Sequence, residues 1–142
     1  MNTSELSSSL RLAVSSLHKI LRRRSGMTDI YSMTEMETIG QLMHAGKLMP
    51  TQLASLTRVT TQTMSQILSK MEEQGIIKRT PSKEDRRRVY VSLTPLGKKF
   101  VEKARYERDE LLKRTIETAL SKKEMELLEK ALPVLNKLTA TL

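Results

Sequence analysis

The chain contains no cysteine. It can therefore form no disulfide, no thiolate metal site and no thiol redox sensor. Its five glycines are dispersed, so they supply no phosphate-binding loop, dinucleotide fingerprint or nucleophile elbow, and enzyme readings do poorly. Only two histidines occur, His18 and His44, on different expected helices; they read as ordinary helical side chains, and no metal or cofactor is expected. Aromatics are equally scarce, with Tyr31, Tyr90, Phe100 and Tyr106 leaving any core to Leu, Met and Ile. No apolar run approaches the roughly 20 residues that span a bilayer, and the start lacks a signal-type segment, so a cytoplasmic chain without a membrane partner is expected. Acidic residues are outnumbered, 16 against 25 basic ones, for a net charge of +9. Such an excess either serves solubility alone or attracts phosphate polyanions. At 142 residues the chain has room for one core and not for a separate catalytic domain.

What is present concentrates in residues 59–97. Met64, Ile67, Leu68 and Met71 recur at i, i+3, i+4 and i+7, a single stripe of helical period that should face a core. Roughly opposite lie Gln62, Ser65, Gln66 and Ser69, hydrogen-bonding groups almost without charge, where an ordinary solvated face carries Lys and Glu. Thr60 or Thr61 supplies an N-cap, and Gly75 a stop able to take positive φ. Residues 76–80 then read as a strand, 81–88 as a loop and 89–93 as a second strand, in which Val89, Val91 and Leu93 alternate with Tyr90 and Ser92. Between Lys78 and Arg88, six basic residues stand against two acidic ones, so the hairpin tip is cationic. Thr94 and Pro95 open a new helix as cap and first residue.

The flanking segments are helical by the same criterion. Leu6, Leu10, Ala13, Val14, Leu17, Ile20 and Leu21 step by three and four behind Ser4 as a cap, and Arg22, Arg23 and Arg24 at its end either complement the helix dipole or meet phosphate directly. That stripe is longer than a terminal helix needs against its own lobe, which suggests a second subunit. Residues 25–32, with Gly26 and Asp29, read as a loop. Thr34 and Glu37 have the spacing of a capping box and start a helix to His44 or Ala45, with Met36, Ile39, Gly40 and Met43 on one face, Leu42 flanking and Gly46 as its stop. Residues 47–49 are a candidate third strand. Pro50 starts a short helix carrying Leu53, Ala54 and Leu56 and ending near Thr57, and Arg58 and Val59 make a tight turn into the polar-faced helix, a helix-turn-helix pattern. Leu96, Phe100, Val101, Ala104, Leu111, Leu112, Ile116 and Ala119 trace a later stripe. Ser121 and Glu124 form another capping box, and a final helix carries Met125, Leu127, Leu128, Leu132, Leu135, Leu138 and Leu142, with Pro133 expected to kink or break it near 129–132.

The run Glu84-Asp85-Arg86-Arg87-Arg88-Val89-Tyr90-Val91-Ser92-Leu93-Thr94-Pro95-Leu96-Gly97, preceded by Leu68, Glu72, Gly75, Ile77 and Arg79, resembles the MarR family of bacterial winged-helix transcriptional regulators. The resemblance extends over nearly the whole chain. It implies a mainly α fold with a small antiparallel β-wing: one domain over 1–142, with a winged helix-turn-helix lobe at 33–93 and long dimerisation helices at 1–32 and 94–142. It also implies a homodimer that binds a near-palindromic operator in double-stranded DNA as a sequence-specific regulator, with repression expected, and release by a small aromatic or phenolic effector seated between lobe and dimer helices.

Residue roles follow from groove chemistry. Gln62 and Gln66 suit bidentate pairing with adenine, and Ser65 and Ser69 suit any base edge; Thr60 and Thr61 fit cap or phosphate contacts. Arg86, Arg87 or Arg88 is expected in a narrow minor groove and Lys83 on phosphate, while Asp85 repels DNA and is expected to pair with an adjacent arginine and hold the wing's shape. Two rivals remain at this level: a sequence-tolerant architectural DNA binder of the nucleoid type, and a winged helix used as a protein-interaction module.

Overall fold

The computed structural model describes residues 1–24 and 30–142. Most of the expected loop at 25–32 lies outside the described residues. Six helices and a small sheet follow one another as α1 (Thr3–Arg24), α2 (Met33–Ala45), β1 (Lys47–Leu48), α3 (Pro50–Thr57), α4 (Thr61–Glu73), β2 (Ile77–Pro81), β3 (Val89–Leu93), α5 (Pro95–Ala119) and α6 (Lys122–Thr141). The sheet is antiparallel in the order β1-β3-β2, with Ile77 opposite Leu93, Pro81 opposite Val89 and Lys47 opposite Ser92. The mainly α fold with a β-wing is therefore as expected.

The core lies between α2, α3, α4 and the inner face of the sheet, where Ile39, Leu42, Leu53, Met64, Leu68, Met71, Ile77 and Val91 are fully buried. Three of the four residues on the α4 stripe are among them, and Ile67 packs partly buried at the margin. Each such side chain stabilises the lobe by about 1.5–3 kcal/mol. Positive φ ends the local elements where required: Gly46 closes α2, Gly75 follows α4, and Arg58 holds the left-handed conformation between α3 and α4. Where α5 begins, the Thr94 hydroxyl donates to the Gly75 carbonyl and accepts from the Gly97 amide at 3.0 Å, locking β3 and α5 to the turn after α4. Gly97 lies so close to the Ile76 carbonyl that a Cβ there would overlap it.

Several local expectations change. Asn2, not Ser4, caps α1: its side chain accepts from the Glu5 amide at 2.8 Å and its own amide donates to the Glu5 carboxylate at 3.1 Å. Ser32, not Thr34, caps α2, accepting from the Glu35 amide at 3.2 Å, because burial of Tyr31 fixes the chain just ahead of it. The buried side of α2 carries Glu35, Thr38, Ile39 and Leu42, so Leu42 is a core residue and Gly40 is exposed. Leu56 and Leu96, placed on apolar stripes, are about half exposed; buried Thr57 takes the inward position in α3, its hydroxyl bonded to the Leu53 carbonyl at 2.7 Å. The first wing strand reaches Pro81. α6 runs through Pro133 without a break. The box at Ser121 and Glu124 forms as expected.

No residue of α1 or α6 is buried. Leu6, Leu12, Val14, Leu17 and Ile20 on α1 and Leu127, Leu128, Leu132, Val134 and Leu138 on α6 are all at least 45% exposed, and α6 has at most marginal contact with any other element. An apolar row on a helix that stands off the body calls for a covering surface.

Candidate nucleic-acid interface

α4 is held at its start by Thr60, whose hydroxyl accepts from the Thr63 amide at 3.1 Å and bonds the Thr63 hydroxyl at 2.9 Å. That cap orients the first turn, and Met64, Leu68 and Met71 bind the helix to the core. The helix can then present only its remaining face. Thr61, Gln62, Ser65, Gln66 and Ser69 all lie exposed there. Gln62, Gln66 and Ser69 lie along the centre of this face, with Ser65 to one side.

The hairpin beside it is shaped by Asp85. One carboxylate oxygen accepts from the Arg87 amide at 3.0 Å and lies 3.3 Å from its Nε, while the other lies 3.8 Å from Arg88 Nε. Ser82 Oγ accepts from the amides of Glu84 and Asp85, each at 3.3 Å, and the Ser82 amide donates to the Arg88 carbonyl at 2.9 Å. The tip is thus a closed turn with arginines on its outside. The Arg87 side chain is 92% exposed and that of Arg88 62%; Arg86 and Lys83 are exposed too. Exposed ion pairs of this kind stabilise a fold by at most about 1 kcal/mol, so the wing's shape rests more on the backbone bonds.

Some contributors were not read from the sequence. Arg79, on β2, places a guanidinium nitrogen 3.5 Å from Ser69 Oγ and Nε 3.7 Å from the Glu72 carboxylate, tying wing to helix and occupying one of the expected base-reading hydroxyls. On the opposite face of the sheet, Lys47, Lys78, Lys83 and Tyr90 line a concavity of about 750 Å³, and Lys47 Nζ stands 4.5 Å from the centre of the Tyr90 ring. A second cavity, of about 690 Å³, opens between α1, α2 and α5 and is lined by His18, Arg22, Met36, His44, Arg105 and Arg108 among others. It brings the two histidines to one site. Among the described residues, no group of three or more His, Asp or Glu side chains gathers as a metal site, and no helix is long and apolar enough to cross a membrane.

A family model described as the MarR family matches residues 25–88. An HTH-type transcriptional regulator of Mycobacterium bovis is 31% identical over 126 residues, which cover 89% of this chain and 87% of that protein. The chain belongs to the MarR family. It is a DNA-binding transcriptional regulator, and its α3, α4 and β2-β3 hairpin are the helix-turn-helix and wing of the MarR fold. A transcriptional regulator from Thermotoga maritima superposes with a TM-score of 0.80 at 19% identity, covering 98% of this chain and 94% of the other. Staphylococcus aureus MepR, solved as a mutant bound to an oligodeoxyribonucleotide, superposes with a TM-score of 0.68 at 24% identity, covering 96% and 98%. At these identities the two neighbours speak for the MarR fold alone.

Proposed function

We propose that this MarR-family chain is a homodimeric, sequence-specific repressor whose α4 helices enter two major grooves of a near-palindromic operator, about one helical turn apart, with each wing in the flanking minor groove. The observation that carries this reading is the exposed, nearly uncharged face of α4 beside an arginine-tipped hairpin. Gln62, Gln66 and Ser65 read base edges, Thr60 and Thr61 meet phosphate at the helix start, and Arg86, Arg87 and Arg88 supply the minor-groove guanidinium, with Lys83 on phosphate and Asp85 shaping the turn. Ser69 shares its hydroxyl with Arg79 and acts beside it. The bare apolar rows of α1 and α6 support the dimer.

Release fits the cavity between α1, α2 and α5, whose lining of arginines, histidines and methionines suits a small aromatic compound carrying an acidic group. Such a ligand needs to favour the non-binding arrangement by only about 1–3 kcal/mol. A gel-shift titration tests the core of the proposal, using a duplex enriched from a random pool and its scrambled counterpart. Gln66→Ala is expected to lower the preference for the enriched duplex by about 1–3 kcal/mol, while Arg86→Ala and Arg87→Ala weaken both duplexes more evenly. An affinity that does not fall with salt would count against any DNA role.

A further inference from the structure

We propose that Glu35 is a positioning residue for DNA reading: it holds Lys70, the one basic side chain of α4, away from the duplex and fixes the roll of the helix, so that discrimination rests on uncharged groups. This inference rests on the DNA-reading role given to α4 above.

Glu35 sits in the first turn of α2 and is only 9% exposed. A carboxylate in that position needs a partner, since an isolated buried charge is costly. Its two oxygens accept from Lys70 Nζ at 3.1 and 3.0 Å. The Lys70 side chain is 48% exposed and leaves α4 one residue after Ser69 and one turn after Gln66, on the flank of the reading face. Its stem can swing either to Glu35 or toward a phosphate; the carboxylate captures it. The same ammonium lies 5.9 Å from the centre of the Tyr31 ring. One turn further along, the Tyr31 hydroxyl donates to Gln74 Oε1 at 3.0 Å, and the ring meets Phe100 of α5 edge-on with centroids 5.1 Å apart. The C-terminal half of α4 is thus pinned at two successive turns to the entry of α2, and through Tyr31 to α5.

A freed lysine at that flank would add a phosphate contact carrying no sequence information. In a loosely docked, non-specific complex the helix can shift until the ammonium finds a phosphate. In the specific complex, base contacts dictate where the helix lies. Freeing Lys70 therefore strengthens random binding more than selected binding.

The test measures affinity for an enriched duplex and its scrambled version as salt is raised, on the full-length chain. Glu35→Gln keeps the shape and removes the charge. It is expected to bind scrambled DNA several-fold more tightly at low salt, with a log–log salt slope steeper by about one phosphate contact, and to show a smaller preference for the enriched duplex. Lys70→Gln should leave the scrambled-DNA slope at the wild-type value, and Glu35→Gln combined with Lys70→Gln should return to it. A slope unchanged in Glu35→Gln overturns the proposal, as does a shallower slope in Lys70→Gln alone, because Lys70 would then already be on phosphate. The Lys70→Gln arm keeps the proposal falsifiable even where Glu35→Gln does not fold, since a shallower slope there overturns it and the new amide can still donate to the Glu35 carboxylate. Wild-type chain that binds neither duplex with a salt-dependent affinity refutes the DNA reading itself, a result distinct from both.

Discussion

A methyl group at position 97 would meet the carbonyl oxygen of Ile76, which is backbone and cannot swing aside. Gly97→Ala is accordingly expected to destabilise the lobe by about 3 kcal/mol, the upper end of the cost of overpacking, in a urea unfolding titration. Thr94→Ala removes both the α5 cap and the bond to Gly75, and should cost about 1–2 kcal/mol by the same assay. Tyr31 carries a pH signature: burial first, and the Glu35 carboxylate second, raise its phenol above the ordinary value of 10.0. Because the folded value is the higher one, the Tyr31 contribution to stability is fully present below about pH 10 and is lost as pH rises through the folded value. Tyr31→Phe should remove the Tyr31 share of the alkaline decline while losing about 1 kcal/mol with the bond to Gln74. Local chemistry such as Thr94-Pro95 or Gly75 could be read from the chain because cause and effect lie within four residues. The pair of Glu35 with Lys70 spans 35 positions and leaves no periodic trace.

Among the elements, α4 was the most legible, since core stripe, cap and stop agree with one another. The start of α2 misled for a definite reason: Ser32 with Glu35 and Thr34 with Glu37 share the same capping spacing. Only burial of Tyr31 selects the first pair, and burial is a property of the assembled lobe. Leu56 and Leu96 misled likewise, because hydrophobic spacing names a face without naming what covers it. α6 shows the limit of the proline rule. Pro133 removes one amide donor and crowds the carbonyl of Glu129, but that residue is exposed and water can take up its carbonyl, so the helix continues. Pro133→Ala is expected to raise the thermal midpoint, with a gain of about 1–3 kcal/mol in a denaturant titration.

For the whole molecule, the lobe and its wing could be foreseen from alternation and charge, whereas the surplus of apolar surface on α1 suggested a second subunit without saying which helices meet it. The proposed dimer makes a sharp prediction. Leu138, on α6 and 46% exposed, contributes nothing to the lobe's own core. Leu138→Glu should therefore shift sedimentation toward the monomer while leaving the helical circular-dichroism signal of the lobe in place, and should reduce operator affinity far more than random-DNA affinity. An unchanged sedimentation coefficient would remove α6 from the interface.

The separation of the reading surface from α6 has a genetic consequence. A chain carrying a crippled α4 beside an intact α6 should still associate with normal chains made in the same cell and titrate them into inactive mixed pairs, so such an allele is expected to be dominant. An allele whose product ends before residue 122 loses the α6 share of the proposed seam, so it is expected to pair poorly and to be recessive. In a strain carrying both copies, the inheritance pattern of reporter expression would distinguish damage to the α4 face from damage to the helix that stands apart.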